Sequence, residues 1–177
     1  MVEVDYEAMR ISLTKHTGAI ILFDFSAAFP SLSHDYIKDV LAWVGLPPEM
    51  MNLVEVLYDA NRCWMAHKGL RSVGFELGRG IRQGCPLSPL LFAVTVDLLL
   101  RKLADIVGPT GVHAFADDTA VTVDNVWLKI DPLQKLFSDF GKISGLELNL
   151  AKSVFIPLWN IDLETASGTA AWAAIIA

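Results

Sequence analysis

Apolar residues recur along the chain with two different periods, which distinguish predicted helices from predicted strands. Apolar positions at roughly helical spacing predict helices over 4–16, 34–44, 47–62, 89–108 and 132–144. Runs of β-branched and aromatic residues predict strands over 18–25 and 152–159. Short alternations around turn residues predict one β-hairpin within 63–80 and another within 111–124.

The order of these elements indicates the fold class. Strands joined through hairpins pair antiparallel, and the helices between them need a sheet to cover. We therefore expect an α+β fold with a mostly antiparallel sheet, helices packed on one face and the opposite face open. Ser33 is a predicted N-cap, and Gly45 and Gly145 are predicted helix ends. The segment after Ile161 has no clear period and remains unexplained.

Length and composition indicate how many domains the chain forms and where the protein is located. The 177 residues are enough for one domain with a core, and 53% of them are hydrophobic. That share, with a mean hydropathy of +0.44, suggests either a membrane segment or apolar faces that normally meet other domains. The longest apolar run, 89–103, is broken by Asp97, Arg101 and Lys102, which favours a buried helix over a membrane span. Without a signal-peptide pattern or a metal or disulfide spacing of its two cysteines, we expect an intracellular protein, nuclear or cytoplasmic.

The acidic balance of the chain constrains its partners. Twenty Asp and Glu residues against 14 Lys and Arg residues give a net charge of −6. Proteins that hold nucleic acid by themselves are usually basic. The charge therefore argues against strong autonomous binding of nucleic acid.

Three aspartates stand at predicted strand ends. Asp24 ends the first strand, and the adjacent pair Asp117 and Asp118 lies at the tip of the second hairpin. Converging carboxylates repel each other unless cations bind between them, and Mg²⁺ prefers such oxygen ligands. An Asp pair alone is more often a solvated turn, but an isolated charge such as Asp24 among apolar residues is normally paired or metal-bound.

Two other acidic sites fit less well. A phospho-acceptor receiver domain needs its acidic pair to lead from a strand into a helix, whereas the β-branched "TAVTV" after Asp118 predicts a second strand. A haloacid-dehalogenase site needs a second Asp two residues after the first, where Ser26 stands. The four histidines offer no ligand pattern.

Four segments, in order, resemble the palm motifs of reverse transcriptases: "FDFSAAFPSLSHDYI", "RGIRQGCPLSPLLFAVTVDLLL", "FADDTAV" and "SGLELNLAKS". They are most similar to those of non-LTR (LINE-like) retrotransposons, with group II intron enzymes as relatives, and they span about 19–153. The resemblance implies a polymerase palm with a ferredoxin-like core over 1–160, leaving 161–177 unassigned. It also implies an RNA template, a DNA primer, deoxynucleoside triphosphates (dNTPs) and two Mg²⁺ ions, with Mn²⁺ as a substitute.

The resemblance assigns roles to individual residues. Asp24, Asp117 and Asp118 correspond to the catalytic metal ligands, with Asp117 the stronger of the pair, and Phe25 to a residue that lends a backbone carbonyl to a metal. The nucleotide-binding positions correspond to Phe29, which favours deoxynucleotides, and to Arg82, Gln83, Gly84 and Lys152. Three of these also have an ordinary structural interpretation: Phe29 as a core side chain, and Arg82 and Lys152 as solvated surface charges.

The chain also departs from the family pattern. Neither a basic fingers region nor a thumb is recognisable in it, so we expect the missing domains to belong to a longer polyprotein. The alternative to an active polymerase is a truncated or decayed palm that folds without catalysis, or a module that only binds nucleic acid.

Overall fold

The computed structural model describes residues 2–59 and 61–159. The helices are α1 Val2–Thr14, α2 Ala28–Ser31, α3 His34–Val44, α4 Pro48–Tyr58, α5 Ser88–Val107 and α6 Val126–Ser144, with a 3₁₀ turn at Pro109–Gly111. The strands are β1 Ala19–Phe23, β2 Arg62–His67, β3 Leu70–Glu76, β4 Val112–Phe115, β5 Asp118–Val123 and β6 Val154–Pro157. The unexplained segment after Ile161 lies outside the described residues.

A four-stranded antiparallel sheet in the order β4-β5-β1-β6 forms the centre of the fold. In the β1–β5 pair Ala19 faces Val123 and Phe23 faces Thr119, and in the β1–β6 pair Leu22 faces Val154. β1 is therefore hydrogen-bonded on both edges. This arrangement confirms the predicted α+β class with a mostly antiparallel sheet.

Helices α3, α5 and α6 cover one face of the sheet. Their fully buried side chains include Leu41, Leu99, Leu103 and Leu133. Between α3 and α5 the Tyr36 hydroxyl donates a 2.9 Å hydrogen bond to the Thr95 carbonyl. Burial raises the pKa of Tyr36 to about 12, because the ionised phenolate would lose its solvation there.

The opposite face of the sheet is open over β1 and β6. Side chains alternate between the two faces of a strand, and here the alternate positions Leu22, Val154 and Ile156 are exposed. Phe23, which faces the helices instead, packs its ring 4.4 Å from that of Phe137 on α6. The sheet thus has one covered and one open face, as predicted.

Helix α6 begins earlier than predicted. The sequence pattern predicted a start at Pro132, but the helix begins at Val126, with the Asn125 side chain accepting from the Leu128 N–H. A proline inside a helix costs one hydrogen bond and about 3 kcal/mol. The buried row Val126, Leu133, Phe137 and Phe140 runs through it, so packing of this face outweighs that cost.

Two other boundaries also differ from prediction. The segment 27–33, predicted as a turn, contains the short helix α2, which begins after Ala27 in a left-handed conformation (φ 47°). Helix α4, predicted to reach residue 62, ends at Tyr58. The predicted Ser33 cap is confirmed, since its side chain accepts from the Tyr36 N–H, and Gly45 and Gly145 end α3 and α6 in left-handed conformations.

Strands β2 and β3 form a separate two-stranded sheet. Their turn consists of Lys68 (φ 48°) and Gly69 (φ 79°), the pair of positive φ values that a type I′ hairpin turn requires. Most side chains of both strands are exposed. The predicted hairpin is therefore confirmed, but it projects from the main sheet.

Among the described residues, no helix combines the length and the apolar character that a bilayer crossing needs. The 20-residue helix α5 contains Asp97, Arg101 and Lys102, the interruptions on which the prediction of a buried helix rested.

Gly80 fixes how the segment before α5 lies against α2. Its N–H donates to the Leu32 carbonyl at 2.7 Å, and the Ile81 N–H donates to the Phe29 carbonyl at 2.8 Å. A Cβ at Gly80 would lie 2.7 Å from the Pro30 carbonyl oxygen, and φ there is +88°. Only glycine allows this close backbone approach.

We predict that Gly80→Ala destabilises the protein more than Gly45→Ala does. Gly45 has a similar φ of +84°, but a Cβ added there would have no neighbouring atom within 4 Å, so its substitution costs only the left-handed strain of about 1–2 kcal/mol. Gly80→Ala adds displacement of the Pro30 backbone, about a further 1–3 kcal/mol. Urea unfolding of the two variants measures the difference, and equal midpoints would contradict the close approach.

Candidate active site

Asp24 stands where β1 leaves the sheet, and neighbouring chain fixes its backbone. The Asn149 N–H donates to the Asp24 carbonyl at 2.7 Å, and the Asp24 N–H donates to the Ser153 hydroxyl at 3.3 Å. Ser153 in turn donates to the Asn149 carbonyl at 2.9 Å. One turn, residues 149–153, therefore holds both backbone polar groups of Asp24.

Strand register brings Asp24 to the same end of the sheet as the Asp pair. Phe23 faces Thr119, so the next facing positions along these antiparallel strands are Asp24 and Asp118. Asp118 opens β5 and pairs with Phe115, which leaves Ala116 and Asp117 as a two-residue turn. All three predicted aspartates thus lie at one end of the sheet, where β1 ends and β5 begins.

The turn between β4 and β5 sets where the Asp pair points. Ala116 has φ 55°, the left-handed conformation that primed hairpin turns require at their first central residue. Such tight turns match the right-handed twist of the flanking strands. Asp117 and Asp118 are both exposed, so both carboxylates are accessible to solutes from the open side.

The Phe25 carbonyl is directed towards the same edge. Phe25 bridges Leu148, and the flanking hydrogen bonds use the Asp24 carbonyl and the Ser26 N–H, the latter donating to Glu147 at 2.8 Å. Backbone groups of successive strand residues point to opposite sides. The Phe25 carbonyl therefore points away from Leu148 and towards β5, while its side chain is buried.

One oxygen of Asp24 lacks a partner. Oδ2 is buried and makes no hydrogen bond among the described residues. A buried carboxylate oxygen without a donor or cation is costly. The donor chemistry of this edge, carboxylates and a backbone carbonyl, fits a hard divalent cation. Within residues 2–59 and 61–159, however, no three His, Cys, Asp or Glu side chains are already gathered as a metal-binding group.

Lys152 and two unpredicted residues belong to the turn beside Asp24. Lys152 is exposed, and its N–H donates to the Asn149 carbonyl at 3.1 Å. The sequence pattern pointed to Lys152 but not to Asn149 or Ser153. Their position within "LNLAKS", where the last predicted strand begins, was the available signal.

The loop 81–87 presents the predicted nucleotide-binding residues. Gln83 and Gly84 form an exposed turn, and Gly84 has φ +85° with open space around it. The Arg82 guanidinium donates to the Asn61 side chain at 3.0 Å, and its carbonyl accepts from the Ser88 hydroxyl at 2.6 Å. The loop is therefore held at both ends, to the base of the β2–β3 hairpin and to the start of α5.

Backbone and imidazole contacts join this loop region to α2 and α3, rather than to the carboxylates. The His34 Nε2–H donates to the Gly80 carbonyl at 2.8 Å. Phe29, half-buried on α2, stacks on Phe92 of α5 with ring centroids 4.9 Å apart and planes 11° apart. Phe29 thus has the core contacts of its structural interpretation and keeps part of its ring accessible.

Cys85 follows Gly84 in the same loop. The Leu87 N–H, then the Ser88 hydroxyl and N–H and the Arg82 charge, lower the pKa of its thiol below the ordinary value, against the opposing effect of desolvation. These donors at the start of α5 favour the thiolate because helix N-termini attract anions.

Sequence comparisons identify relatives over most of the chain. Residues 5–163 match the family described as reverse transcriptase (RNA-dependent DNA polymerase). A Pol polyprotein of the type-2 retrotransposable element R2DM of Drosophila melanogaster is 36% identical over 135 residues, which cover 73% of this chain and 13% of that protein. A type-1 R2 Pol polyprotein of Popillia japonica is 31% identical over 151 residues, 80% of this chain and 21% of that protein. The chain thus spans only a small part of these relatives.

Solved structures share the fold at low identity. An apo telomerase of Candida tropicalis superposes with a TM-score of 0.69 at 13% identity, over 88% of this chain and 31% of that one. The RNA-dependent RNA polymerase of a human picobirnavirus gives a TM-score of 0.55 at 18% identity, over 86% of this chain and 29% of that one. These likenesses confirm the polymerase palm fold. The family match covers most of the chain, and the chain therefore belongs to the reverse transcriptase (RNA-dependent DNA polymerase) family, where it resembles the non-LTR, R2-type retrotransposon proteins.

Proposed function

We propose that residues 1–160 are the palm of an RNA-directed DNA polymerase of a retroelement. The observation that carries this proposal is the β1–β5 register, which brings Asp24 and Asp118 to facing positions beside the turn that holds Asp117. The reaction is transfer of a deoxynucleotide to the 3′-hydroxyl of a DNA primer on an RNA template. The whole polymerase includes further domains of a longer polyprotein, as in the R2 relatives, and acts inside the cell.

The carboxylates of Asp24, Asp117 and Asp118, with the Phe25 carbonyl, would hold two Mg²⁺ ions, or Mn²⁺ in their place. Ions bound there supply charge stabilisation for the attacking and leaving oxygens of the phosphoryl transfer. The buried Asp24 Oδ2 without a hydrogen-bond donor supports this assignment. Asp24 contributes a fixed ligand because the 149–153 turn holds both its N–H and its carbonyl, whereas the exposed Asp pair reaches the site from a turn.

The other predicted residues have positioning roles in the proposed reaction. Phe29 presents the accessible part of its ring to the sugar and favours deoxyribose, since a 2′-hydroxyl would meet the ring. Gln83 and Gly84 lie against the nascent base pair, and Arg82 and Lys152 attract the phosphates. Catalysis in such a site comes from orientation and charge stabilisation.

The second candidate is a palm that folds without polymerising. It is favoured by the net charge of −6, since proteins that hold nucleic acid by themselves are usually basic. It predicts a folded protein without extension activity.

We expect Asp24→Asn and Asp117→Asn each to lower primer extension at least about a hundredfold, because each removes a charged metal ligand. Extension of a DNA primer on an RNA template with Mg²⁺ measures this, and Mn²⁺ binding by electron paramagnetic resonance measures the ligands without catalysis. Asp105→Asn, an exposed carboxylate on α5 paired with Lys102, is the matched control. Unchanged Mn²⁺ binding in both site variants would contradict the metal assignment, and a folded wild type that binds Mn²⁺ without extending would favour the second candidate.

Ser153→Ala is expected to lower kcat about tenfold with little change in KM for dNTP, because a small displacement of a metal ligand slows the chemical step more than it weakens substrate binding. Ser153→Thr keeps the hydroxyl that accepts from the Asp24 N–H and should restore kcat. The required Mg²⁺ concentration should rise in the Ala variant alone. The exposed Ser138 on α6 provides the control Ser138→Ala, and a loss in the Thr variant equal to that in the Ala variant would contradict the positioning role.

Phe29→Val is expected to raise the use of ribonucleoside triphosphates relative to dNTPs about tenfold, because the shorter side chain leaves room for a 2′-hydroxyl. The ratio of kcat/KM for the two nucleotides measures it. Phe92→Leu removes the same 4.9 Å ring stack from the other side and serves as the control. If both variants shift the ratio equally, the effect comes from lost packing and not from the Phe29 ring.

A further inference from the structure

The β2–β3 hairpin is electrostatically unlike the rest of the chain. Residues 61–82, which contain it, hold five of the 14 Lys and Arg residues and one of the 20 Asp and Glu residues, a net charge of +4. All other residues together carry −10. A protein of net charge −6 thus has one strongly basic segment.

One face of the hairpin combines aromatic, apolar and basic side chains. Trp64 faces Val73 across the strands, and Ala66 faces Arg71. The register shifts between Arg62, which pairs with Glu76, and Trp64. Such a bulge interrupts the alternation of side chains on β3, so Glu76 shares the face of Val73 and Trp64, and Phe75 lies on the opposite face. Trp64 and Phe75 are each 62% exposed. Within the described residues no helix or other strand packs extensively on this sheet.

The exposed hairpin has the physical features of an interaction surface. A two-stranded sheet alone is marginally stable in water, and exposed aromatic side chains on it are a sign of an interaction surface. An exposed aromatic ring beside exposed cations on one face is the composition of stacking platforms for single-stranded nucleic acid, in which bases lie on rings and the phosphates contact Lys and Arg. The charge of +4 favours a polyanion over an apolar protein surface.

The hairpin is also continuous with the candidate active site. At its base Asn61 accepts from the Arg82 guanidinium at 3.0 Å, and the Asn61 carbonyl accepts from the Leu77 N–H at 2.7 Å. Arg82 belongs to the loop that carries Gln83 and Gly84. A strand of nucleic acid leaving this loop therefore meets the base of the hairpin first and the exposed face next.

We propose that the face formed by Trp64, Arg71 and Val73, with Lys68 at the turn, binds single-stranded RNA. The inference rests on the proposed function for the choice of RNA as the polymer, and it names the surface that the RNA uses outside the carboxylate site. Trp64 stacks on a base. Lys68 and Arg71 contact phosphates, while Arg62 stays paired with Glu76 at 2.8 Å.

Fluorescence anisotropy of the full chain with fluorescein-labelled oligouridylate tests the proposal. Lys68→Glu with Arg71→Glu should weaken binding about tenfold or more at about 0.1 M salt, and should reduce the slope of log affinity against log salt by about 1.4, the value for two lost phosphate contacts on a single strand. Trp64→Ala should weaken binding about tenfold while leaving that slope unchanged. Phe75→Ala, which removes an equally exposed ring from the opposite face, should change the affinity little.

The matched control is Lys102→Glu with Lys142→Glu, which makes the same charge change at exposed lysines of α5 and α6. An equal loss in the control pair, or no binding by the wild type at low salt, would overturn the proposal. It would also be overturned if light scattering showed that Trp64→Ala dissociates an oligomer while RNA affinity stays the same, since the face would then be a protein interface. Circular dichroism verifies folding, and should an aromatic variant unfold, the two charge pairs decide the question by themselves.

The binding measurement separates this proposal from the proposed function. In the Asp117→Asn background, Lys68→Glu with Arg71→Glu should still weaken oligouridylate binding about tenfold, because the hairpin face does not include the carboxylates. If the wild type does not extend a primer, but its RNA binding is weakened by the hairpin substitutions, the result counts against the polymerase function alone. If the wild type extends a primer, but the hairpin substitutions leave RNA binding unchanged, the result counts against the hairpin proposal alone.

Discussion

Antiparallel pairing on both edges of the first strand is the constraint on which the rest of the site depends. On one edge β5 sets the register that brings Asp118 opposite Asp24, and on the other the 147–153 segment holds the backbone of Asp24 and its neighbours. A shift of one residue in a strand would turn each side chain to the other face of the sheet. The helix-facing Phe23 resists such a shift, because its ring packs on Phe137 in the covered layer. Core packing on one face therefore fixes the chemistry on the other.

Most elements of the fold could be predicted from local pattern, and the errors have physical causes. Glycine ends and a serine cap are local signals, so the bounds of α3 were correct. The start of α6 was missed because proline at 132 is a strong local breaker, while the packing that overrides it involves partners such as Phe23 and Phe25, more than 100 residues away in sequence. Local composition cannot weigh such distant contacts. The short helix α2 was missed for a similar reason, since its backbone is held by hydrogen bonds to residues 80 and 81.

The site was predictable in its residue types but not in its supports. Aspartates at strand ends and the order of four motifs are visible in the sequence, and the register then brings the aspartates to one edge. Ser153 and Asn149 act through one hydroxyl and one backbone N–H, which leave little trace in composition. Phe25 was expected to act through its carbonyl, and only the pairing pattern with Leu148 gives that carbonyl a direction. Nothing in the spacing of charges along the chain indicated that the basic hairpin would stand apart from the main sheet.

The uneven distribution of charge has a consequence for how the molecule meets other polyelectrolytes. With +4 on residues 61–82 and −10 on the remainder, the protein is a large electric dipole as well as an anion. At distances beyond the Debye length, about 10 Å at 0.1 M salt, both charges are screened. Inside that range the field repels a polyanion from most of the surface and turns the hairpin towards it. Such steering raises productive encounter rates without adding contact energy. Capture of a polyanion by such a surface would depend on orientation in the field, and ionic strength would control its rate.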